Sequence, residues 1–252
     1  MGIDLSELVD YLDGYLRVAE VPDEPNAVNG LQVEVPGPVA RIAVAVDGCQ
    51  ATIDAAADRE ANLLIVHHGI FWGGVEPLAG RHGSRVRSLI NGGISLYSAH
   101  IPLDVHPEVG NNAVLGRLLC LADPTPFGDY HGVSLGVAGV LDLPRGELVS
   151  LVASLLDTRP MLIPAGPERV GRLGIITGAG GGMIRVAAQA GVDTLLTGEG
   201  AHHTYFDAEE WNINVVYAGH YATETVGVKA LAEHLDSKFR LPWEFIDHPT
   251  GL

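Results

Sequence analysis

The sequence predicts an α/β fold with mixed, largely parallel sheets and two related halves. Apolar, strand-like runs alternate with helix-like segments. Residues 41–47, 51–60 and 63–66 have the patterns of strand, helix and strand within about 30 residues, the size of a βαβ unit. In the second half, residues 172–178 repeat the pattern of residues 41–47. This alternation favours α/β layers over a sandwich or a segregated α+β arrangement.

The individual elements follow from hydrophobic spacing and turn residues. Apolar residues recur at helical spacing in residues 4–16, where Asp4 or Ser6 can cap the helix. Residues 124–128 contain two prolines and a glycine and are expected to form a linker. The other predicted helices are residues 84–91, 111–120, 147–156 and 184–190, and the other predicted strands are residues 31–35, 94–99 and 133–141.

The composition is that of an ordered globular protein. The 252 residues are 47% hydrophobic and 18% charged, enough for one large domain or two smaller ones. No apolar run approaches the roughly 20 residues of a membrane span, and the N-terminus lacks the features of a signal peptide. We therefore expect a cytoplasmic protein that does not contact membranes.

Charge and cysteine content narrow the possible partners and ligands. The formal net charge of -16 opposes nucleic acid binding, because acidic surfaces repel phosphate backbones. The two cysteines, Cys49 and Cys120, do not form a CxxC pair. Disulfide scaffolds and thiolate zinc sites are therefore not expected, and a metal ion would be bound by nitrogen and oxygen ligands.

The internal repeat aligns polar residues of the two halves. An offset of 131 (172 − 41) places His68 on Glu199. For the next strand an offset of 120 (220 − 100) places His100 on His220 and Asp104 on Glu224. Equivalent polar residues in two βαβ-type halves predict a duplication with a pseudo-twofold relation.

Histidines and carboxylates follow the apolar runs at several predicted strand ends. In parallel α/β sheets, ligands bind in the crevice at the carboxyl ends of the strands. The residues at or just beyond these ends are His67, His68, His100, Asp104, His220 and Glu224.

This residue set predicts a metal site. Successive strand residues point to opposite faces, so His67 and His68 are expected to serve different ions of a close pair. Two carboxylates can bridge ions about 3.5–4 Å apart. His220 and Glu224 share one face if they open a helix. Nitrogen and carboxylate ligands suit Zn, Mn, Fe or Co.

Other polar segments have more than one interpretation. His202 and His203, which follow Glu199, either transfer protons near the metals or are exposed loop residues. For residues 29–32 and 110–112, a role in turns and helix caps is favoured over a functional role. The glycine-rich residues 178–183 either bind phosphate at a helix start or form a tight strand-to-helix turn, and they match no nucleotide-binding fingerprint.

These motifs resemble one known family over nearly the whole chain. The matching segments are residues 29–33, 66–69, 100–112 and 219–224. The family is that of the GTP cyclohydrolase 1 type 2 homologues, NIF-three-like proteins with a dinuclear metal centre and a hexameric assembly. The resemblance implies two intertwined α/β domains, residues 1–124 with 226–252 and residues 125–225, in a toroidal homohexamer.

The resemblance also implies functional residues. The ligands of two divalent ions per chain would be His67, His68, Asp104, His220 and Glu224. His100 would then be a neighbour of the site. Apart from the resemblance, Glu199, His202 and His203 are candidate proton carriers, because they should lie at the equivalent strand end of the other half.

The predicted function is that of a metal-dependent hydrolase. Its substrate would be a nucleotide or a small heterocycle, amide or phosphoester, because a metal ion acidifies bound water and polarises carbonyl and phosphoryl oxygens. The label of the family is GTP cyclohydrolase type 2. The alternative is a metal-binding adaptor or metal-insertion protein that acts through the toroidal hexamer without catalysis of its own. This alternative is kept because the sequence contains no purine-recognition motif that would specify GTP.

Overall fold

The computed structural model describes residues 2–251. The strands, in chain order, are β1 (Ile3–Asp4), β2 (Gly30–Val33), β3 (Pro38–Val39), β4 (Ile42–Asp47), β5 (Leu63–His68), β6 (Ser95–Ser98), β7 (Ala122–Tyr130), β8 (Val133–Pro144), β9 (Met161–Pro164), β10 (Arg169–Ile176), β11 (Thr194–Thr197), β12 (Asn214–Tyr217) and β13 (Trp243–Phe245). The α-helices are α1 (Leu5–Leu16), α2 (Gln50–Asp58), α3 (Gly80–Gly92), α4 (Ile101–Asp104), α5 (Asn111–Leu118), α6 (Arg145–Leu156), α7 (Ile184–Gln189), α8 (Thr204–Trp211) and α9 (His220–Phe239). Short 3₁₀ turns occupy Pro25–Ala27 and Gly180–Met183.

The chain divides into two compact units. Unit 1 contains the residues up to Val109 together with Gly227–His248, and unit 2 contains Gly110–Val226 and the residues from Pro249 on. Unit 1 is thus built from two segments of chain that are separated in sequence by unit 2. The division at residues 124/125 and 225/226 stays a prediction.

Unit 1 is a five-stranded, mostly parallel sheet with the order β13-β4-β5-β6-β2. Strands β13, β4, β5 and β6 are mutually parallel, and β2 pairs antiparallel with β6. Because β5 is central, its last residues lie between the ends of β4 and β6. This places His67 and His68 at the carboxyl end of the sheet.

Both faces of the unit 1 sheet are buried, as the continuous apolar strands predict. Alternate residues of β5 enter two different cores. Leu63 and Ile65 pack with leucines of α1 and with the C-terminal part of α9, whereas Leu64 and Val66 pack with α2 and α3. Asp4 caps α1 by accepting from the N–H of Ser6 at 2.9 Å, as one of the two predicted caps.

Unit 2 has a six-stranded mixed sheet with the order β7-β8-β10-β11-β12-β9. Its centre, β10-β11-β12, is parallel, and its flanks pair antiparallel. Residues 124–128 therefore do not form the predicted linker. They lie in edge strand β7, where a proline is tolerated because only one side of the strand must donate hydrogen bonds.

The two units repeat the same parallel core. In unit 1, Ile42 pairs with Leu63, and in unit 2, Leu173 pairs with Thr194; each pair is 21 residues apart (63 − 42 and 194 − 173). This equal spacing agrees with the predicted offset of 131. Each triplet of parallel strands is also followed by an antiparallel neighbour, β2 or β9. The structure is therefore α/β with two related, sheet-rich units.

The third strand of the repeat corrects the predicted alignment by one residue. Leu63 pairs with Ser95 and the equivalent Thr194 pairs with Asn214, which gives an offset of 119 (214 − 95) rather than 120. His100 therefore corresponds to Gly219, and not to His220. The similar residues around Tyr97 and Tyr217 led to the wrong alignment.

Within residues 2–251, no helix combines the length and the apolar character that a membrane crossing requires.

Candidate metal-binding site

Three histidine rings gather at the carboxyl end of the unit 1 sheet. His67 and His68 end β5, and His100 follows β6. One ring nitrogen of each lies within 4.8 Å of a ring nitrogen of the others. The ring centroids of His67 and His68 lie 4.8 Å apart, so both rings reach the same edge of the sheet although they are successive strand residues. That they serve different ions of a close pair stays a prediction. Hydrogen bonds to the flanking strands turn both rings towards the same edge.

The strands on both sides of β5 provide the hydrogen-bond partners of His67 and His68. His67 is fully buried and donates from Nδ1 to the carbonyl oxygen of Ala99, just beyond β6, at 2.9 Å. His68 uses Nδ1 in a 2.9 Å contact with Oδ1 of Asp47, the last residue of β4. Each ring is thus fixed by the end of an adjacent parallel strand.

His100 is held by two side chains from the segment before β2. Its Nδ1 lies 2.8 Å from Oδ1 of Asp23, and its backbone N–H donates to Oδ1 of Asn29 at 2.8 Å. Asp23 also accepts from Asn29 and from the backbone N–H of Ile101. Burial alone would raise the pKa of Asp23, but the hydrogen bonds and the charge of His100 lower it below its usual value. Asp23 is therefore an ionised, oriented partner for His100.

Asp104 completes what we call the unit 1 cluster: His67, His68, His100 and Asp104. Asp104 ends the one-turn helix α4, and its Oδ2 lies 3.6 Å from Nε2 of His67. Two ligand atoms that each lie about 2.1 Å from one ion at a tetrahedral angle are about 3.4 Å apart. The observed spacing is therefore close to that of two ligands of one ion.

The unit 2 cluster consists of Glu199, His220 and Glu224. His220 opens α9 and Glu224 lies one turn later, as predicted. Nε2 of His220 lies 3.2 Å from Oε2 of Glu224, and its Nδ1 lies 2.8 Å from Oε1 of Glu199. Burial alone would lower the pKa of His220, but the hydrogen bonds and charges of Glu224 and Glu199 raise it to about 9. This cluster therefore stabilises a positive charge.

The donor set of both clusters fits a divalent cation. Each of the four imidazoles directs Nδ1 at a carbonyl or carboxylate oxygen. These oxygens only accept, so Nδ1 is the donor in each ring and Nε2 is the nitrogen left to bind an ion, which in His220 requires loss of the Nε2 proton. Metal-ligating histidines in proteins are oriented in this way. Oxygen and imidazole donors without thiolate suit first-row divalent ions.

Gly178 allows Glu224 to reach its position. It follows β10 with φ +65°, in the left-handed region, and a Cβ at this point would press into the carboxylate of Glu224. Its N–H donates to Oγ1 of Thr223, while Asn112 accepts from the N–H of Thr177. The start of the glycine-rich loop thus fits the interpretation of a tight turn.

The remaining predicted residues lie beside two open cavities of unit 2. His203 and Glu199 line one of about 420 Å³. His202 lines the other, of about the same volume, with Tyr205 and Phe206. Both histidines are exposed, and the ring of His202 meets Phe206 edge-on at 5.8 Å. Glu199 already orients His220.

Three residues near the unit 1 cluster were missed in the sequence. Asp47 ends an apolar strand as His68 does, so the strand-end rule could have identified it. Asp23 lies in a turn-rich segment 77 residues before its partner His100, and no local pattern marks it. Trp72 meets His100 edge-on at 4.9 Å and His68 at 6.0 Å.

Comparison with known proteins identifies the family. The model of the Duf34/NIF3 family (NGG1p interacting factor 3) matches residues 3–250. The chain belongs to the Duf34/NIF3 family. Curated relatives named GTP cyclohydrolase 1 type 2 homolog include one from Deinococcus radiodurans, 44% identical over 99% of this chain and 95% of the relative. One from Pyrococcus abyssi is 44% identical over 99% of this chain and all of its own length.

A solved structure of the same fold supports the family assignment. The crystal structure of TTHA1606 from Thermus thermophilus has a TM-score of 0.91 and 43% sequence identity. The match covers 99% of this chain and all of the other. The sequence-based resemblance to this Duf34/NIF3 family is therefore confirmed.

Replacing Gly178 with alanine should damage the unit 2 cluster. The left-handed backbone costs a residue with Cβ about 1–3 kcal/mol, and the new methyl group would displace Glu224. We expect a lower unfolding temperature and a weaker affinity for Zn²⁺, measured by thermal denaturation and chelator competition. Gly182→Ala is the matched control, because nothing lies within 4 Å of its Cβ position. Equal effects of both substitutions would contradict this role of Gly178.

Trp72 should report metal binding at the unit 1 cluster. Because its ring lies against His68 and His100, binding of Co²⁺ is expected to quench its fluorescence. Trp72→Phe should remove the metal-dependent part of the emission, and Trp211→Phe should retain it. Quenching that persists in Trp72→Phe would show that the ion binds elsewhere.

Proposed function

We propose that this protein is a divalent-metal-dependent hydrolase. Its substrate would be a nucleotide or a small heterocycle, amide or phosphoester. Two ions per chain would be bound by His67, His68, Asp104, His220 and Glu224. The observation that carries the proposal is that the four imidazoles all direct Nδ1 at an oxygen acceptor. Side chains that only fill a core do not require this shared orientation.

The chain's own residues would prepare the reaction. A bound divalent ion supplies Lewis acidity, which polarises a carbonyl or phosphoryl oxygen and acidifies water. Asp47 and the carbonyl of Ala99 hold the rings of His68 and His67 in place. Glu199 orients His220. In this proposal Glu199, His202 and His203 are the residues that move protons.

The choice of substrate class draws on the names of the relatives. They are called GTP cyclohydrolase 1 type 2 homologs, so GTP and other purine nucleotides come first in a screen. Cyclic amides and phosphoesters follow, because the same polarisation serves both carbonyl and phosphoryl groups.

His68→Ala should abolish turnover and lower the bound metal. The chain is loaded with Zn, Mn, Fe or Co, its metal content is measured by mass spectrometry, and it is screened against these substrates. We expect about two ions per chain in the wild type and a decrease in kcat/KM of at least about 100-fold in the variant. The matched control, exposed His131→Ala, should keep both metal content and activity.

The informative negative result is full metal occupancy without turnover. If the ions bind at His67 and His68 and no substrate is converted with any of the four metals, the hydrolase proposal is wrong. If His68→Ala binds as much metal as the wild type, the ligand assignment is wrong.

An adaptor or metal-insertion function remains the second proposal. It is favoured by a surface patch on unit 2 where large apolar side chains are exposed. The patch contains Met161 on edge strand β9 and Tyr205 and Phe206 on α8, which line one cavity. Exposed apolar clusters mark interaction sites. We propose that the patch supports a homohexameric ring, which would present bound metal to partner proteins.

Phe206→Ser should weaken this assembly. Removing an exposed apolar ring from an interface lowers the area buried between chains. We expect light scattering to give a six-chain mass for the wild type and a lower mass for the variant, with unchanged circular dichroism. Ile90→Ser, an exposed apolar residue of unit 1, is the control. A wild-type chain that is monomeric at micromolar concentration would refute the ring.

A further inference from the structure

The first half of α3 carries an unusual excess of positive charge. The whole chain has 31 acidic residues and 15 lysines and arginines. Nevertheless, Arg81, Arg85 and Arg87 lie within seven residues, and Glu76 is the only acidic residue between Gly69 and Gly93. Within residues 2–251, none of these arginines forms an ion pair with a carboxylate. In so acidic a protein, an unpaired group of arginines indicates an anionic ligand.

Buried donors in the same segment point to the same conclusion. Nε of Arg85, Nε2 of His82 and Nε1 of Trp72 are buried, and among the described residues they have no hydrogen-bond partner. His82 is only 5% exposed. Buried polar nitrogens in native proteins are almost always hydrogen-bonded, so we expect these three nitrogens to meet a partner from outside the chain, either water or an anion.

Helical spacing places the three side chains near one another. Arg81 and Arg85 are four residues apart and share one face of α3, and His82, three residues before Arg85, lies at the edge of that face. The like charges of Arg81 and Arg85 repel unless an anion lies between them. This face begins at the helix N-terminus, where Ala79 supplies no side-chain acceptor for the first N–H groups. The positive end of the helix dipole adds to the attraction for an anion.

The segment connecting β5 to α3 also contacts the unit 1 cluster. Phe71 meets the ring of His82 at 5.2 Å, and the next residue, Trp72, meets His100 at 4.9 Å. Two consecutive aromatic residues therefore join the start of α3 to the proposed metal ligands.

We propose that Arg81, His82 and Arg85 bind a phosphate group of the substrate. This inference rests on the proposed function and narrows it to phosphorylated small molecules. Two guanidinium groups offer the forked donors that match phosphate oxygens, and the imidazole adds a third donor. The phosphate site would position the rest of the substrate at the metal ligands, without taking part in the bond that is broken.

The test is a titration of the full chain with inorganic phosphate at constant ionic strength. The protein is first treated with chelator, because phosphate also coordinates metal ions. We expect saturable binding, weakened by at least about tenfold in Arg81→Gln and in Arg85→Gln. Arg87→Gln removes the same charge from another face of α3 and should change the affinity by less than about twofold. Arg81 is exposed, so its substitution should leave folding intact even if Arg85→Gln does not fold.

Two further experiments test whether the bound phosphate is that of a nucleotide, and they separate this inference from the hydrolase proposal. A nucleoside monophosphate should compete with inorganic phosphate and its nucleoside should not; a nucleoside that competes equally would overturn the substrate assignment. Metal content is measured on the same variants before chelator treatment, and it should equal that of the wild type. Absence of phosphate binding, or equal losses in all three variants, would refute the α3 site even if metal binding and hydrolysis are found. Phosphate binding without metal binding would refute the hydrolase proposal and leave only an anion site.

Discussion

The candidate site depends on hydrogen bonds that fix imidazole rings from outside the ligand set. His67 and His68 lie at the end of a central strand, so the ends of β4 and β6 on either side supply an acceptor for each ring. His100 and His220 receive theirs from Asp23 and Glu199. A parallel sheet with two flanking strands is therefore needed before these histidines can present Nε2 in a defined direction. The fold and the chemistry of the site are linked by this requirement.

Electrostatics distinguishes the two clusters. In the unit 2 cluster two carboxylates face one imidazole, and they raise the pKa of His220 to about 9 although burial alone would lower it. In the unit 1 cluster three imidazoles gather with Asp104. One cluster thus has two carboxylates for one imidazole and the other has three imidazoles for one carboxylate. Such a difference favours unequal affinities if each cluster binds an ion.

The sequence predicted those parts that local patterns determine. The apolar run of β5, the two histidines at its end and the i, i+4 pair that opens α9 were all readable, because strand and helix periodicities act over a few residues. The edge strand β7 was missed because its prolines resemble a linker until its position in the sheet is known. Asp23 was missed because its role depends on a partner 77 residues away. The convergence of His67 and His68 required the hydrogen-bond partners of both rings.

The one-residue difference between the offsets 120 and 119 limits how this duplication can be engineered. In a helix, one residue corresponds to a rotation of about 100° around the axis. Consider a symmetric protein built from two identical copies of one half and aligned by matching Tyr97 with Tyr217. Its transferred histidine would be shifted by one residue, so the imidazole would point away from its intended neighbours. The two halves share a parallel core and yet place His100 and His220 at non-equivalent positions. Any chimera of them must be spliced by strand pairing rather than by sequence similarity.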